Sequence, residues 1–242
     1  MAQALVPLKD LVRAKTRLAG ILDASERRAL AQAMAEDVLS ALARHPGLST
    51  VTLVSDDPGA HLLAGEYDIR CWPERDLGCK GLNPVIAAAS QRLLQDSDET
   101  LLVLHGDLPL LTVEDVSAVL ELQQQTNGLV IGTDRRKEGT NLLAFDRHCM
   151  PHFQFGEGSC EKHRIWAAQE HVTVDVISRL GIALDIDDAK DLEFLYAHLV
   201  AAPKSKTAEF LSGEDLVARL ALALASLSTD NALLVEVAGS HE

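Results

Sequence analysis

Short apolar runs alternate with segments whose apolar residues recur every three or four positions, which predicts strands alternating with helices. ALVPLK (4–9) reads as a first strand that opens into a loop rich in Lys and Arg. A helix is predicted from Asp23, with Glu26 three residues on as a capping box. Leu30, Ala33, Met34, Val38, Ala41 and Leu42 make its buried stripe, and Gly47 marks its end. TVTLVS (50–55) predicts a strand, DDPG a turn into a short helix, and YDIRCW (67–72) another strand. Asn83 and Pro84 mark the start of a helix running to about Gln95, because proline is tolerated in the first turn. TLLVLH (100–105) is the clearest buried strand and ends in GDLP, after which Thr112 and Asp115 open a further helix. Strands follow at 128–133 and 141–145, then a helical region interrupted by FGEGS (155–159). VTVDVIS and IALDI predict two more strands, with a last helix from Asp188. This alternation implies an α/β fold with a mostly parallel sheet covered by helices on both faces. Ligands of such sheets bind outside the carboxyl ends of the strands.

Composition narrows the class. The chain has 242 residues, 47% of them hydrophobic and 24% charged, enough apolar content for a packed core. Its net charge of −14, from 22 basic and 36 acidic residues, argues against a nucleic-acid partner, which needs a basic face. No run approaches the length of a membrane span, and the N-terminus lacks a signal-peptide pattern, so a cytoplasmic protein with no membrane partner is expected. The four cysteines form no CxxC pair. His148, Cys149, His152, Cys160 and His163 match no zinc spacing and read as ordinary packing and surface residues. Residues 1–202 form the expected main domain. Residues 203–242, a polar PKSKT linker followed by an Ala/Leu-rich helix, are expected to dock a partner or a second copy.

Three constellations carry chemistry. Lys9, Arg13, Lys15 and Arg17 place four cations directly after the first strand, which suits phosphate binding better than a solvated loop balancing nearby acids. A Walker A loop and a GxGxxG turn are both absent. Asp107 lies at the tip of the best strand, and Asp185 and Asp187 are expected at another strand end. Carboxylates at two strand ends facing one crevice would hold Mg²⁺ together with phosphate oxygens. Asp188 reads as the cap of the last helix. Thr140, with Gly156, Gly158 and Ser159 of FGEGS, suits a second phosphate at a helix start, and His163 is either an added donor or a surface histidine.

Taken together, VPLKDLVRAKTRL, AEDVL, GLN (81–83), HGDLPLLT, DRRKEGTNLL, FGEGS and LDIDDAKDL resemble, in order, the CofC-type guanylyltransferases of coenzyme F-420 biosynthesis. That family includes the phospholactate and phosphoenolpyruvate guanylyltransferases. The resemblance covers about residues 3–200 and implies a fold of the nucleotide-diphospho-sugar transferase type. It implies transfer of GMP from GTP to a three-carbon phospho-acid with release of pyrophosphate, and Mg²⁺ as cofactor. Pro7, Lys9, Lys15 and Arg17 would then meet the nucleotide and its phosphates, with Arg13 in the same basic loop, and Leu82 and Asn83 would lie on the guanine side. Asp107 would be a metal ligand, with Asp185 or Asp187 as the other. Thr140, Gly156, Gly158 and Ser159 would receive the acceptor. Glu157 and Cys160 stand where the family commonly has Pro and Phe, so 2-phospholactate, phosphoenolpyruvate and 3-phosphoglycerate all remain candidate acceptors. A homodimer and a downstream transferase of the same pathway are the partners this reading implies. The competing readings are a cytidylyl- or molybdopterin-type nucleotidyltransferase and a non-catalytic nucleotide-binding subunit.

Overall fold

The computed structural model describes residues 1–8, 11, 15–199, 205–213, 216–217 and 219. Within them, β1 (Ala2–Pro7), β2 (Leu48–Val54), β3 (Arg70–Trp72), β4 (Thr100–Leu104), β5 (Leu129–Thr133), β6 (Thr140–Phe145) and β7 (Val174–Ile177) build one sheet in the order β3-β2-β1-β4-β6-β5-β7. All neighbours are parallel except at β6, which runs against both β4 and β5. This reversal brings the first residues of β6 to the edge where β1, β4 and β5 end: Leu142 pairs with Leu104, and Thr140 with Thr133.

Eight helices are described: α1 (Ala24–Ala43), α2 (Pro58–Glu66), α3 (Leu82–Leu94), α4 (Val113–Thr126), α5 (Ser159–Gln169), α6 (Leu180–Ala183), α7 (Ala189–Leu199) and α8 (Lys206–Leu211). Successive strand residues point to opposite faces, so each central strand feeds two cores. Ala4, Val6, Leu102, Leu104 and Val130 pack with α1, α2 and α4, whereas Leu5, Leu101, Val103, Leu129 and Ile131 pack with α3 and α5. The predicted capping boxes at Asp23/Glu26 and Thr112/Asp115 are both formed. The predicted stripe of α1 is buried, but it serves two cores. Val38, Ala41 and Leu42 face the sheet, while Leu30 and Met34 enter a third cluster with Leu184, Ile186, Leu192, Leu195 and Leu211.

Three expected elements differ. IALDI is not a strand: Ile182 and Ala183 close the one-turn helix α6, and residues 184–188 form a loop into α7. Its apolar residues are buried because the segment lies over β5 and into the third cluster. Gly132 leaves room for this, since a Cβ there would come within 2.6 Å of Ile182 Cγ2. YDIRCW supplies only the short strand Arg70–Trp72, and no helix precedes FGEGS between 146 and 158.

Part of the expected C-terminal extension folds back onto the domain. The Asp37 carboxylate of α1 accepts from the amides of Lys206 (2.7 Å) and Thr207 (2.9 Å) at the start of α8, and Leu211 and Leu216 are buried. The remainder of the Ala/Leu-rich helix lies almost wholly outside the described residues. Among the described residues no helix is long and apolar enough to cross a membrane.

Candidate active site

A crevice of about 1110 Å³ opens along the edge where β1, β4 and β5 end and β6 begins. Pro7, Lys15, Arg17, Leu82, Asp107, Thr140, Gly156, Gly158, Ser159, Asp185 and Asp187 all line it. Lys9 and Arg13 lie outside the described residues.

Lys15 is the centre of one half, facing Asp107 and Asp187. It holds a left-handed backbone (φ 55°, ψ 42°) and precedes a 3₁₀ turn at Thr16–Leu18. That conformation is costly for a residue with a Cβ. It directs a nearly buried side chain onto Asp107 Oδ2 and onto Asp187 Oδ1, 3.1 Å away. Burial opposes the Lys15 charge, but the two carboxylates outweigh it and raise its pKa. Burial likewise pushes Asp107 up, and the Lys15 charge and hydrogen bond, with His105, overcome this and hold it below the carboxylate range. Arg17 is largely exposed and stands 4.0 Å from Asp187 Oδ2.

Asp107 Oδ1, by contrast, is buried and has no hydrogen-bond partner among the described residues. Such an orphaned anionic oxygen is costly unless a ligand satisfies it. Asp185 stands in the loop after α6, not at a strand end, and accepts at Oδ1 from Asn141 Nδ2 at 3.1 Å. The same amide donates to Ile182 O at 3.0 Å, which fixes the loop against β6. Burial, and then the charge of Asp107, raise the Asp185 pKa to about 6. The Asp188 carboxylate accepts from the amides of Lys190 (2.8 Å) and Asp191 (3.1 Å), as expected of a cap.

The other half of the crevice is built around FGEGS. Gly156 (φ 127°) and Gly158 (φ 63°) adopt conformations that favour glycine, and the turn delivers Ser159 as the first residue of α5. The amides of Ser159 and Cys160 are already engaged, with Gly156 O (3.1 Å) and Glu138 O (3.0 Å). An anion here would therefore meet side chains and the α5 dipole rather than those two amides. Asn83 does not line the crevice. Its side chain pairs twice with the backbone of Phe155, accepting from N–H at 2.8 Å and donating to C=O at 3.2 Å, and so ties α3 to the loop. His163 is no surface histidine: it is fully buried, within hydrogen-bond reach of Thr140 and Gln154.

Several crevice residues escaped the sequence reading. Arg135 stacks over the Phe194 ring (3.6 Å to the centroid) and pairs with Asp191 at 3.6 Å, while Arg136 faces Asp188 at 3.9 Å. DRRKEG showed their charge in the sequence but not the direction of the β5–β6 hairpin that places them. Asn141 and His105 also line the crevice, and His105 sits edge-on to Phe155, 5.1 Å between centroids.

This architecture is shared with known nucleotide-handling transferases. A protein of Desulfovibrio desulfuricans G20 assigned to the nucleotide-diphospho-sugar transferases superposes with a TM-score of 0.76 at 18% identity, covering 91% of this chain and 99% of that one. The 4-diphosphocytidyl-2C-methyl-D-erythritol synthase of Anaerococcus prevotii aligns with a TM-score of 0.55 at 13% identity, over 83% of this chain and 98% of that one. The fold is the one these transferases share. Residues 2–224 match the family described as "Guanylyl transferase CofC like", and the chain belongs to that family. The phosphoenolpyruvate guanylyltransferase of Chloroflexus aggregans is 33% identical over 191 residues, 77% of this chain and 93% of that protein. The one from Conexibacter woesei is 36% identical over 196 residues, 79% and 86% respectively. The chain is accordingly an enzyme, a nucleotidyltransferase of the guanylyltransferase type.

Proposed function

We propose that this crevice transfers GMP from GTP to the phosphate of a three-carbon phospho-acid and releases pyrophosphate, as a step of coenzyme F-420 biosynthesis. Phosphoenolpyruvate is the favoured acceptor, because it is the one named in the relatives; 2-phospho-L-lactate and 3-phosphoglycerate are its competitors. The observation that carries the reading is Asp107 Oδ1, unpartnered among the described residues and beside Lys15, at the strand ends where a triphosphate would lie.

The donor set fits Mg²⁺, which takes one or two carboxylates and completes its shell with phosphate and water oxygens. Asp107 has an oxygen with no partner among the described residues, and burial, followed by the charge of Asp107, raises the Asp185 pKa, a penalty that a cation between the two would relieve. Among the described residues no three His, Cys, Asp or Glu side chains gather into a cage. Asp107 and Asp185 would hold the ion, with Asp187 beside them. Bound there, Mg²⁺ would neutralise phosphate charge.

The protein's own residues account for the rest. An acceptor phosphate oxygen attacks the α-phosphorus of GTP, and the bond from that phosphorus to the bridging oxygen breaks, with its electron pair leaving on pyrophosphate. The acceptor phosphate is mostly deprotonated at neutral pH, with a second pKa of about 6, so no general base is needed. Lys15 and Arg17 balance charge on the triphosphate and on the departing pyrophosphate. Thr140 and Ser159 hold the acceptor in line, and positioning two polyanions is the main catalytic task.

Pyrophosphate release should be measured with each of the four nucleoside triphosphates against each of the three acids, with the product identified by mass. Release with GTP only when phosphoenolpyruvate is present is the expected result. Turnover with CTP in preference to GTP, or none with any acid, would refute the reading.

A further inference from the structure

We infer that His163 is a positioning residue of the acceptor subsite, whose Nδ1–H holds the Thr140 oxygen so that the Thr140 hydroxyl hydrogen points into the crevice. This rests on the proposed function only in taking Thr140 as a contact of the acceptor.

Hydrogen count fixes the tautomer of His163. Gln154 N–H donates to His163 Nε2 at 3.0 Å, so that nitrogen carries no hydrogen. The neutral ring must then be protonated at Nδ1, which lies 3.1 Å from Thr140 Oγ1 and donates to it. A hydroxyl that accepts from the ring keeps its own hydrogen for another partner. Among the described residues no other group is hydrogen-bonded to Thr140 Oγ1, and Thr140 lines the crevice. The hydrogen is thereby left for an anion.

The opposite tautomer would invert the subsite. With hydrogen on Nε2, that nitrogen would face the Gln154 N–H donor to donor, and Thr140 would turn its hydrogen inward to bare Nδ1. Its lone pairs would then face the acceptor's oxyanion. Burial, with the charges of His152 and Lys162, lowers the ring's pKa to about 4, so it stays neutral in working conditions. Phe155, edge-on at 5.4 Å between centroids, packs against the ring. His163 thus acts through Thr140 and meets no ligand itself.

Two measurements test this. In protein labelled with ¹⁵N-histidine, the His163 signals (assigned by their loss in His163→Asn) should show hydrogen on Nδ1 and none on Nε2 at pH 7. Hydrogen on Nε2 would overturn the inference whatever the enzyme's substrate proves to be. In steady-state kinetics with GTP and phosphoenolpyruvate, His163→Leu should raise the phosphoenolpyruvate KM about tenfold, as expected for a disturbed hydrogen bond to a charged group. It should leave the GTP KM in place, and His163→Asn, which keeps a donor at the Nδ1 position, should restore most of the loss. In a Thr140→Val background the same His163→Leu change should add nothing. An equal rise in both backgrounds would make His163 a merely structural residue and sink the inference. Absence of turnover with every acid would count against the proposed function instead, and the tautomer would then decide the inference alone.

Discussion

Lys15→Met offers the sharpest test of the electrostatics at the strand ends. The Lys15 ammonium contacts the Asp107 carboxylate and lies 3.1 Å from Asp187, with only 9% of its side chain exposed. Unit charges about 4 Å apart attract by about 4 kcal/mol at the effective dielectric of such a site. Removing Lys15 also removes the cost of burying an ammonium, so part of that attraction is offset. What remains is the Asp107 carboxylate, 27% exposed, with its buried Oδ1 unpartnered among the described residues and the Asp185 carboxyl nearby. The net expected loss is about 3 kcal/mol at pH 7, read by urea denaturation in EDTA. The pH dependence has a definite sign. In the native chain Asp107 is depressed, so its contribution is present above the ordinary 3.8 and lost as pH falls through its lowered value. Without Lys15, burial dominates and Asp107 titrates above 3.8, so the variant should approach the native stability as pH falls from 7 toward 4. The double variant Lys15→Met/Asp107→Asn should recover about 2 kcal/mol, because both charges are gone, yet remain inactive. If Lys15→Met proved as stable as the native protein at pH 7, or if Asp107→Asn destabilised it further, the reasoning would be refuted.

Two further predictions follow from the same region. Asp185→Asn should stabilise the metal-free protein by about 2 kcal/mol near pH 7.5. The native carboxyl, raised to about 6, favours folding below the ordinary 3.8 and loses that contribution as pH rises through 6. The gain should therefore vanish by pH 4, while turnover with Mg²⁺ falls at least about a hundredfold if the carboxylate holds the ion. A stability gain independent of pH would contradict this. Asn83→Ala frees the Phe155 backbone from its two bonds, and should raise the phosphoenolpyruvate KM about tenfold with little change for GTP. A rise confined to the GTP KM would return Asn83 to the guanine side.

What could be read from the chain alone follows the range of the physics. The capping boxes at Asp23 and Thr112 and the stripe of α1 are local patterns, specified within a turn or two by the residues that form them. The buried strand before HGDLP is equally local, and a parallel sheet with ligands at its strand ends follows from the alternation of such elements. The family was likewise legible, because its motifs are short and ordered. IALDI misled because an unbroken apolar run shows burial without showing whether a strand or a folded-over loop is buried. Here the Gly132 gap admits the end of α6 and the third cluster takes the loop that follows.

The site's working state was decided across the fold. Lys15 meets Asp107 92 positions away, Asn83 holds Phe155 at 72, and Asn141 holds Asp185 at 44. The reversed strand β6 carries Thr140 to the crevice edge, and only there does His163, buried against it, set which way a hydroxyl points. The sequence by itself determined which groups the protein owns and the elements that carry them. Their partners, burial and proton positions depend on contacts between distant segments, so only the tertiary structure decided which carboxylate is paired, which is orphaned and which nitrogen bears a hydrogen.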